Sequence, residues 1–166
     1  MKNTTKIMMA STLVMSAFAT GCQTTTSVTK PAAQPITEEV LEANNWRLIE
    51  AKNNNGDIVN ELFFNPSKPL TLNFMAAEGS NLVSLMNTCN NIGAGYSVVD
   101  GEVQLTLIRS TMMACPEPLA KFDSAAAVTV EGKYSFGKNG DNMPVLIIAN
   151  DNQVSHFKAV PKTNTP

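Results

Sequence analysis

The chain contains one histidine, His156, and none of the short motifs that build a catalytic centre. A serine nucleophile needs a sharp Gly-x-Ser-x-Gly turn to expose its hydroxyl, and no such turn occurs. No Gly-x-x-x-x-Gly-Lys run is present to cradle phosphate, and there is no dinucleotide fingerprint. No two cysteines stand two residues apart, the spacing of a dithiol redox motif. The fourteen acidic residues are scattered, so the sequence pairs no two of them across a cleft. Together these absences predict a protein that is not an enzyme and holds no cofactor or metal. His156 falls in alternating, strand-like sequence, where it reads as a surface or half-buried strand residue rather than a base.

An excess of positive charge is also missing. Twelve Lys and Arg face fourteen Asp and Glu, for a net charge of -2. Without a basic stripe or interleaved aromatics, nucleic acid is not an expected partner. Long apolar runs are absent as well. The stretch from Ile7 to Phe18 is interrupted by Ser11, Thr12 and Ser16, and a membrane span needs about 20 apolar residues. No internal repeat is found.

The N-terminus has a clear pattern. Lys2 and Lys6 precede that apolar stretch, and Ala19, Thr20 and Gly21 lead into Cys22. A basic start, a short apolar segment and small residues at the cut make a secretory signal. A cysteine at the junction predicts cleavage before Cys22 and lipid on Cys22, so that the membrane is a partner through that lipid. Several acyl chains, each contributing about 0.8 kcal/mol per buried methylene, would hold the chain to a bilayer. Gln23 follows; by resemblance to enteric-type lipoproteins, this implies an outer-membrane lipoprotein facing the periplasm of a Gram-negative bacterium.

Residues 1–21 thus read as signal peptide and 22–37 as a lipidated tether. The tether is polar, carries Pro31 and Pro35, and buries too little apolar surface to fold alone. The domain is expected over 38–160, with a flexible tail over 161–166.

Within the domain, short strands are broken by Asn, Asp and Gly. Trp46 and Leu48 alternate with polar residues up to a turn at 53–57, and Leu70, Leu72 and Phe74 repeat with a period of two. The clearest hairpin joins 96–99 to 102–107 through Asp100-Gly101, with Val103, Leu105 and Leu107 expected on one face. Two late strands are expected near 143–149 and 153–160. A helix is expected over 116–127, with Leu119, Phe122 and Ala126 on its apolar side and Lys121 and Asp123 off it. Val128-Thr129-Val130 is β-prone, and Gly132 should end the element. The fold class is therefore mainly β, a curved or barrel-like antiparallel sheet with one packed helix.

With Cys22 committed to lipid, Cys89 and Cys115 remain. In an oxidising compartment a disulfide is the default for such a pair; two buried thiols or a metal or redox site are the alternatives. Met86, Met112 and Met113 stand near these cysteines in sequence. Soft sulfur suits reduced copper, but methionine more often fills irregular cores.

The segment Asn87-Thr88-Cys89-Asn90-Asn91-Ile92-Gly93-Ala94-Gly95-Tyr96 resembles the Cys-Asn, glycine-rich, Tyr motif of the META domain. Thr111-Met112-Met113-Ala114-Cys115 is similar to that family's Thr-x-Met-Ala-Cys motif, and Trp46, Leu48 and Leu72-Asn73-Phe74 resemble its opening strands. Thr88 and Ala94 each stand where the family usually has glycine. The resemblance is to HslJ-type lipoproteins, and it implies links to heat shock, antibiotic tolerance and virulence or secretion, without catalytic chemistry. It marks Asn90, Gly93, Gly95, Tyr96, Thr111, Met113 and Ala114 as motif residues. The physical reading of that loop is fold-specifying first: glycines for close approach, Asn90 for local backbone bonds, Tyr96 for a buried ring. The expectation is a monomeric, lipid-anchored envelope protein that binds an unknown envelope protein or component under stress. The alternatives are a small-ligand carrier or inhibitor module, and a cysteine- or metal-dependent activity.

Overall fold

The computed structural model describes residues 35–162. Nine strands form one sheet: β1 (Asn45–Asn53), β2 (Thr71–Ala77), β3 (Ser80–Met86), β4 (Ile92–Val99), β5 (Glu102–Leu105), β6 (Arg109–Ser110), β7 (Lys133–Lys138), β8 (Pro144–Ala149) and β9 (Gln153–Val160). Their order is β5-β4-β3-β2-β1-β9-β8-β7, with β6 paired to β4, and every pairing is antiparallel. β5 comes beside β7, so the sheet curls into a nearly closed barrel. A short helix, α1 (Glu38–Glu42), precedes the sheet, and a longer one, α2 (Glu117–Val130), lies between β6 and β7.

Alternation sets which side chains enter the barrel. Trp46 and Leu48 point inward from β1; a bulge between Leu48 and Glu50 then shifts the phase so that Ala51 points inward too. Leu72 and Phe74 from β2, Val83 and Leu85 from β3, and Ile92, Ala94 and Tyr96 from β4 follow the same rule. Phe74 meets the Tyr96 ring edge-on at 5.1 Å and the Tyr134 ring at 6.4 Å. Each fully buried Leu, Val, Ile or Phe among them stabilises the fold by about 1.5–3 kcal/mol. The interior is therefore filled by aromatic and aliphatic side chains.

Two tight hairpins rest on left-handed residue pairs. Asp100 (φ 53°) and Gly101 (φ 79°) join β4 to β5, and Glu78 (φ 48°) and Gly79 (φ 79°) join β2 to β3. Positive φ at both central positions gives the turn whose twist matches the flanking strands.

The helix begins as the prolines predict, with Pro116 as N-cap and Pro118 in the first turn. Three expectations about this region need correction. Val128-Thr129-Val130 extends α2 instead of starting a strand. Val130 is buried in the core and Thr129 Oγ1 donates to Ala125 O at 2.7 Å, so burial outweighs β-propensity. Asn150 Nδ2 then donates to the carbonyls of Val128 and Glu131 at the helix end. Asp123, expected off the apolar side, is buried. Leu107, expected to share a face with Val103 and Leu105, is 81% exposed. Leu105 to Arg109 spans five residues against the four from Gly93 to Tyr96, and this one-residue bulge breaks the alternation.

Of the tether expected over 22–37, only 35–37 are described. Ile36 is buried, and Thr37 caps α1 by accepting the Val40 N–H at 3.2 Å. Of the tail over 161–166, Lys162 Nζ donates to Phe74 O at 2.6 Å. Cys22 lies outside the described residues.

Candidate functional site

The loop between β3 and β4, the loop between β6 and α2, and the second turn of α2 converge on one carboxylate. Asp123 Oδ1 accepts the Cys89 N–H at 2.9 Å. Its Oδ2 accepts the Asn90 N–H at 2.8 Å and Asn90 Nδ2 at 3.0 Å. Three donors thus satisfy a buried charge, which would otherwise be costly to keep out of water.

Asn90 is the second centre of the cluster. Its Nδ2 also lies 3.2 Å from Cys115 Sγ. Its Oδ1 accepts the Thr111 hydroxyl at 3.0 Å and the Met113 N–H at 2.7 Å. The Thr111 hydroxyl accepts the Asn91 N–H at 3.0 Å. Cys89 Sγ and Cys115 Sγ are 2.08 Å apart, the separation of a disulfide, with their Cα atoms 6.2 Å apart.

Beside this cluster, the outer face of β3 and β4 forms an open groove of about 1010 Å³. Met75, Leu82 and Ser84 line it with Gly93, Gly95, Thr106 and Arg109. Both glycines sit at close approaches, and only that of Gly93 is to backbone under 3.0 Å. A Cβ on Gly93 would sit 2.7 Å from Val83 O, and one on Gly95 would sit 3.0 Å from Thr106 Oγ1. That hydroxyl accepts the Gly95 N–H at 2.9 Å, pinning the bulge to β4.

The sequence model of the META domain matches residues 39–161, most of the chain and all of the sheet. The chain belongs to the META-domain family. The fold is also similar to a protein from Burkholderia xenovorans solved by NMR, at 19% identity and a TM-score of 0.54, covering 78% of this chain and 92% of that one. A second NMR structure is similar at 20% identity and a TM-score of 0.49, covering 78% of this chain and 99% of that one. No curated protein matches the chain.

In this META domain the motif residues take different positions. Cys89, Asn90, Thr111 and Cys115 come together at Asp123, while Gly93 and Gly95 face the groove. Tyr96 is buried in the barrel and donates to Glu42 Oε1 at 2.7 Å. Burial and the neighbouring Glu42 carboxylate push its hydroxyl well above the usual tyrosine range. Met113 contributes its backbone N–H, and its side chain is exposed, as is Ala114. Met112 is 99% exposed, and Met86 also lies at the surface. The expectation that these methionines fill a core is therefore corrected: the side chains of Asn90, Thr111 and Asp123 hold the loop through hydrogen bonds, and the methionines stand at the surface.

Sequence reasoning missed Asp123. No spacing rule links a mid-helix carboxylate to a loop more than thirty residues earlier, and its place beside Phe122 suggested a solvent-facing position. His156 takes no part in these contacts: its Nδ1 lies 3.1 Å from Glu50 Oε2 without hydrogen-bond alignment. The Glu50 carboxyl is held below its usual range chiefly by Lys52.

Proposed function

We propose that this META domain is the non-catalytic, partner-binding body of an HslJ-like envelope lipoprotein. Lipid on Cys22 anchors it to the outer membrane of a Gram-negative bacterium, facing the periplasm, where it supports tolerance of envelope stress. The signal pattern ending at Cys22 supports the address. The observation that carries the non-catalytic reading is the occupancy of Asn90. Its N–H, its Nδ2 and its Oδ1 all bond within the cluster, so the motif acts to hold three segments together. The binding surface then lies elsewhere on the domain.

The test is a deletion strain grown under heat and envelope-active antibiotics, with in vivo crosslinking from the groove and mass spectrometry of the exported chain. Increased sensitivity, a reproducible crosslinked envelope partner and an acylated Cys22 are expected. Unchanged growth under every stress, with no crosslinked partner, sinks the reading.

The groove favours a second reading, a carrier of a small ligand. Because the barrel interior is filled, such a ligand would sit on the outer face against Met75 and Leu82. Solvent extraction of the protein purified from native membranes should then release a stoichiometric small molecule, and Leu82→Lys should abolish its retention. An empty extract removes this reading.

A further inference from the structure

Cys89 Sγ, Cys115 Sγ and a carboxylate oxygen of Asp123 lie within 4.8 Å of one another. Two of these atoms come from the loops that flank β4 and β6, and the third from a buried position on α2. We propose that when the Cys89–Cys115 bond is reduced, these three side chains bind a zinc ion, with the fourth position left to water.

The donor set suits zinc, which takes thiolate and carboxylate ligands in a tetrahedron. Zn–S distances of ~2.3 Å place two sulfurs about 3.8 Å apart around the metal, so reduction must first release the sulfurs from bonding contact. The Cα atoms, 6.2 Å apart, leave room for the side chains to swing outward. Asp123 already stands beside them, with a carboxylate oxygen within 4.8 Å of both sulfurs. An ionised carboxylate offers about four lone-pair sites. Oδ2 accepts two hydrogen bonds and Oδ1 one, which leaves one site on Oδ1 for a metal.

The surroundings stabilise the charged ligands. Asn90 Nδ2, 3.2 Å from Cys115 Sγ, would donate to the thiolate while still holding Asp123. Cys115 immediately precedes the N-cap of α2, where the helix dipole favours negative charge.

The chemistry balances with a dithiol as reductant. Two electrons and two protons pass from it to the Cys89–Cys115 bond, leaving two thiols here and a disulfide on the reductant. Zinc then displaces the two thiol protons, which go to solvent. Disulfide and metal compete for the same sulfurs, so each excludes the other. This site is independent of the envelope reading above: it depends on the redox state of one sulfur pair and not on any partner.

The probe is cobalt, then zinc, added to the full chain carrying Cys22→Ser, so that Cys89 and Cys115 are the remaining cysteines. After reduction with a dithiol and desalting without oxygen, one cobalt per chain should bind with a thiolate-to-cobalt charge-transfer band and tetrahedral d–d bands, and zinc should displace it. The oxidised chain should take up none. Asp123→Asn should weaken zinc binding by at least about tenfold, and Cys89→Ser should remove the charge-transfer band. A reduced chain without that band overturns the proposal, as does folded Asp123→Asn with unchanged affinity. Should Asp123→Asn fail to fold, unfolding of the reduced Cys22→Ser chain decides. Zinc should raise its midpoint and leave that of Cys89→Ser unmoved, and a midpoint indifferent to zinc also overturns the site.

Discussion

Asp123 Oδ2 accepts two hydrogen bonds from one residue, the backbone N–H of Asn90 at 2.8 Å and its side-chain Nδ2 at 3.0 Å. This two-point grip fixes both the position and the rotamer of Asn90. The fixed rotamer in turn aims Oδ1 at Thr111 and Met113. A single helix carboxylate therefore organises a loop that precedes it by over thirty residues and another that lies about ten residues before it.

Replacing Asp123 with Ala should strand three donors: the Cys89 N–H, the Asn90 N–H and one proton of Asn90 Nδ2. Each buried donor left without a partner costs about 1–3 kcal/mol, less where water reaches it. The half-buried setting of the two loops puts the expected loss at about 3–5 kcal/mol in all. Urea unfolding of the oxidised chain measures it. A loss below about 1 kcal/mol would mean that the grip contributes little to the folded state.

Reduction should destabilise the domain separately. Closing a loop across a sequence separation of 26 residues lowers the entropy of the unfolded chain by about 3–4 kcal/mol at room temperature on the chain-entropy view. Unfolding midpoints with and without a dithiol, in metal-free buffer, check this. Cys89→Ser should match the reduced protein within error. Equal midpoints for oxidised and reduced protein would show that the sulfur pair adds no constraint.

The strands that were legible in the sequence are those with one clean apolar face. Leu72 and Phe74 alternate with polar Thr71 and Asn73, and Asp100-Gly101 announces its own turn. β3 was not legible because Leu82 and Met86 place apolar side chains on the outer face beside inward Val83 and Leu85, which erases the period of two. The end of α2 misled for a different reason. Thr129 and Val130 prefer extended backbone, but burying Val130 and bonding Thr129 to Gln153 Nε2 at 2.8 Å favours helix there. In the cluster, the Cys-Asn and Thr-Met-Met-Ala-Cys segments stood out through their resemblance to the META motifs. Asp123 did not, because the contact that matters is tertiary and carries no local pattern.

The two groove glycines should differ in tolerance. Gly93→Ala drives a methyl against the backbone oxygen of Val83 at 2.7 Å, and β3 cannot yield without breaking its ladder to β4. A loss of about 2–4 kcal/mol is expected, the range of overpacking with backbone displacement. Gly95→Ala meets the Thr106 side chain at 3.0 Å, which can rotate aside at the cost of its hydrogen bond to the Gly95 N–H, about 1 kcal/mol. Chemical denaturation of both variants compares them. Gly95→Ala proving the more damaging would contradict the geometry of β4 against β3.

Alkaline pH should weaken the fold through its two tyrosines. Burial, helped by Glu42, raises the Tyr96 hydroxyl above its ordinary value, and burial alone raises that of Tyr134, which donates to Val130 O at 2.6 Å. In the unfolded chain both ionise near pH 10. A raised folded-state pKa means that the native state retains protons which the unfolded state releases. The stabilisation is thus complete below about pH 10 and is lost progressively as pH rises above it towards the folded-state values. Unfolding free energy measured from pH 8 to 11 should fall more steeply for the natural chain than for a Tyr96→Phe, Tyr134→Phe double variant, since lysine titration is common to both. The double variant starts lower at neutral pH, by about 1 kcal/mol per lost hydrogen bond, and its curve should converge on that of the natural chain as the pH climbs. Parallel curves would show that neither hydroxyl is held protonated by the fold.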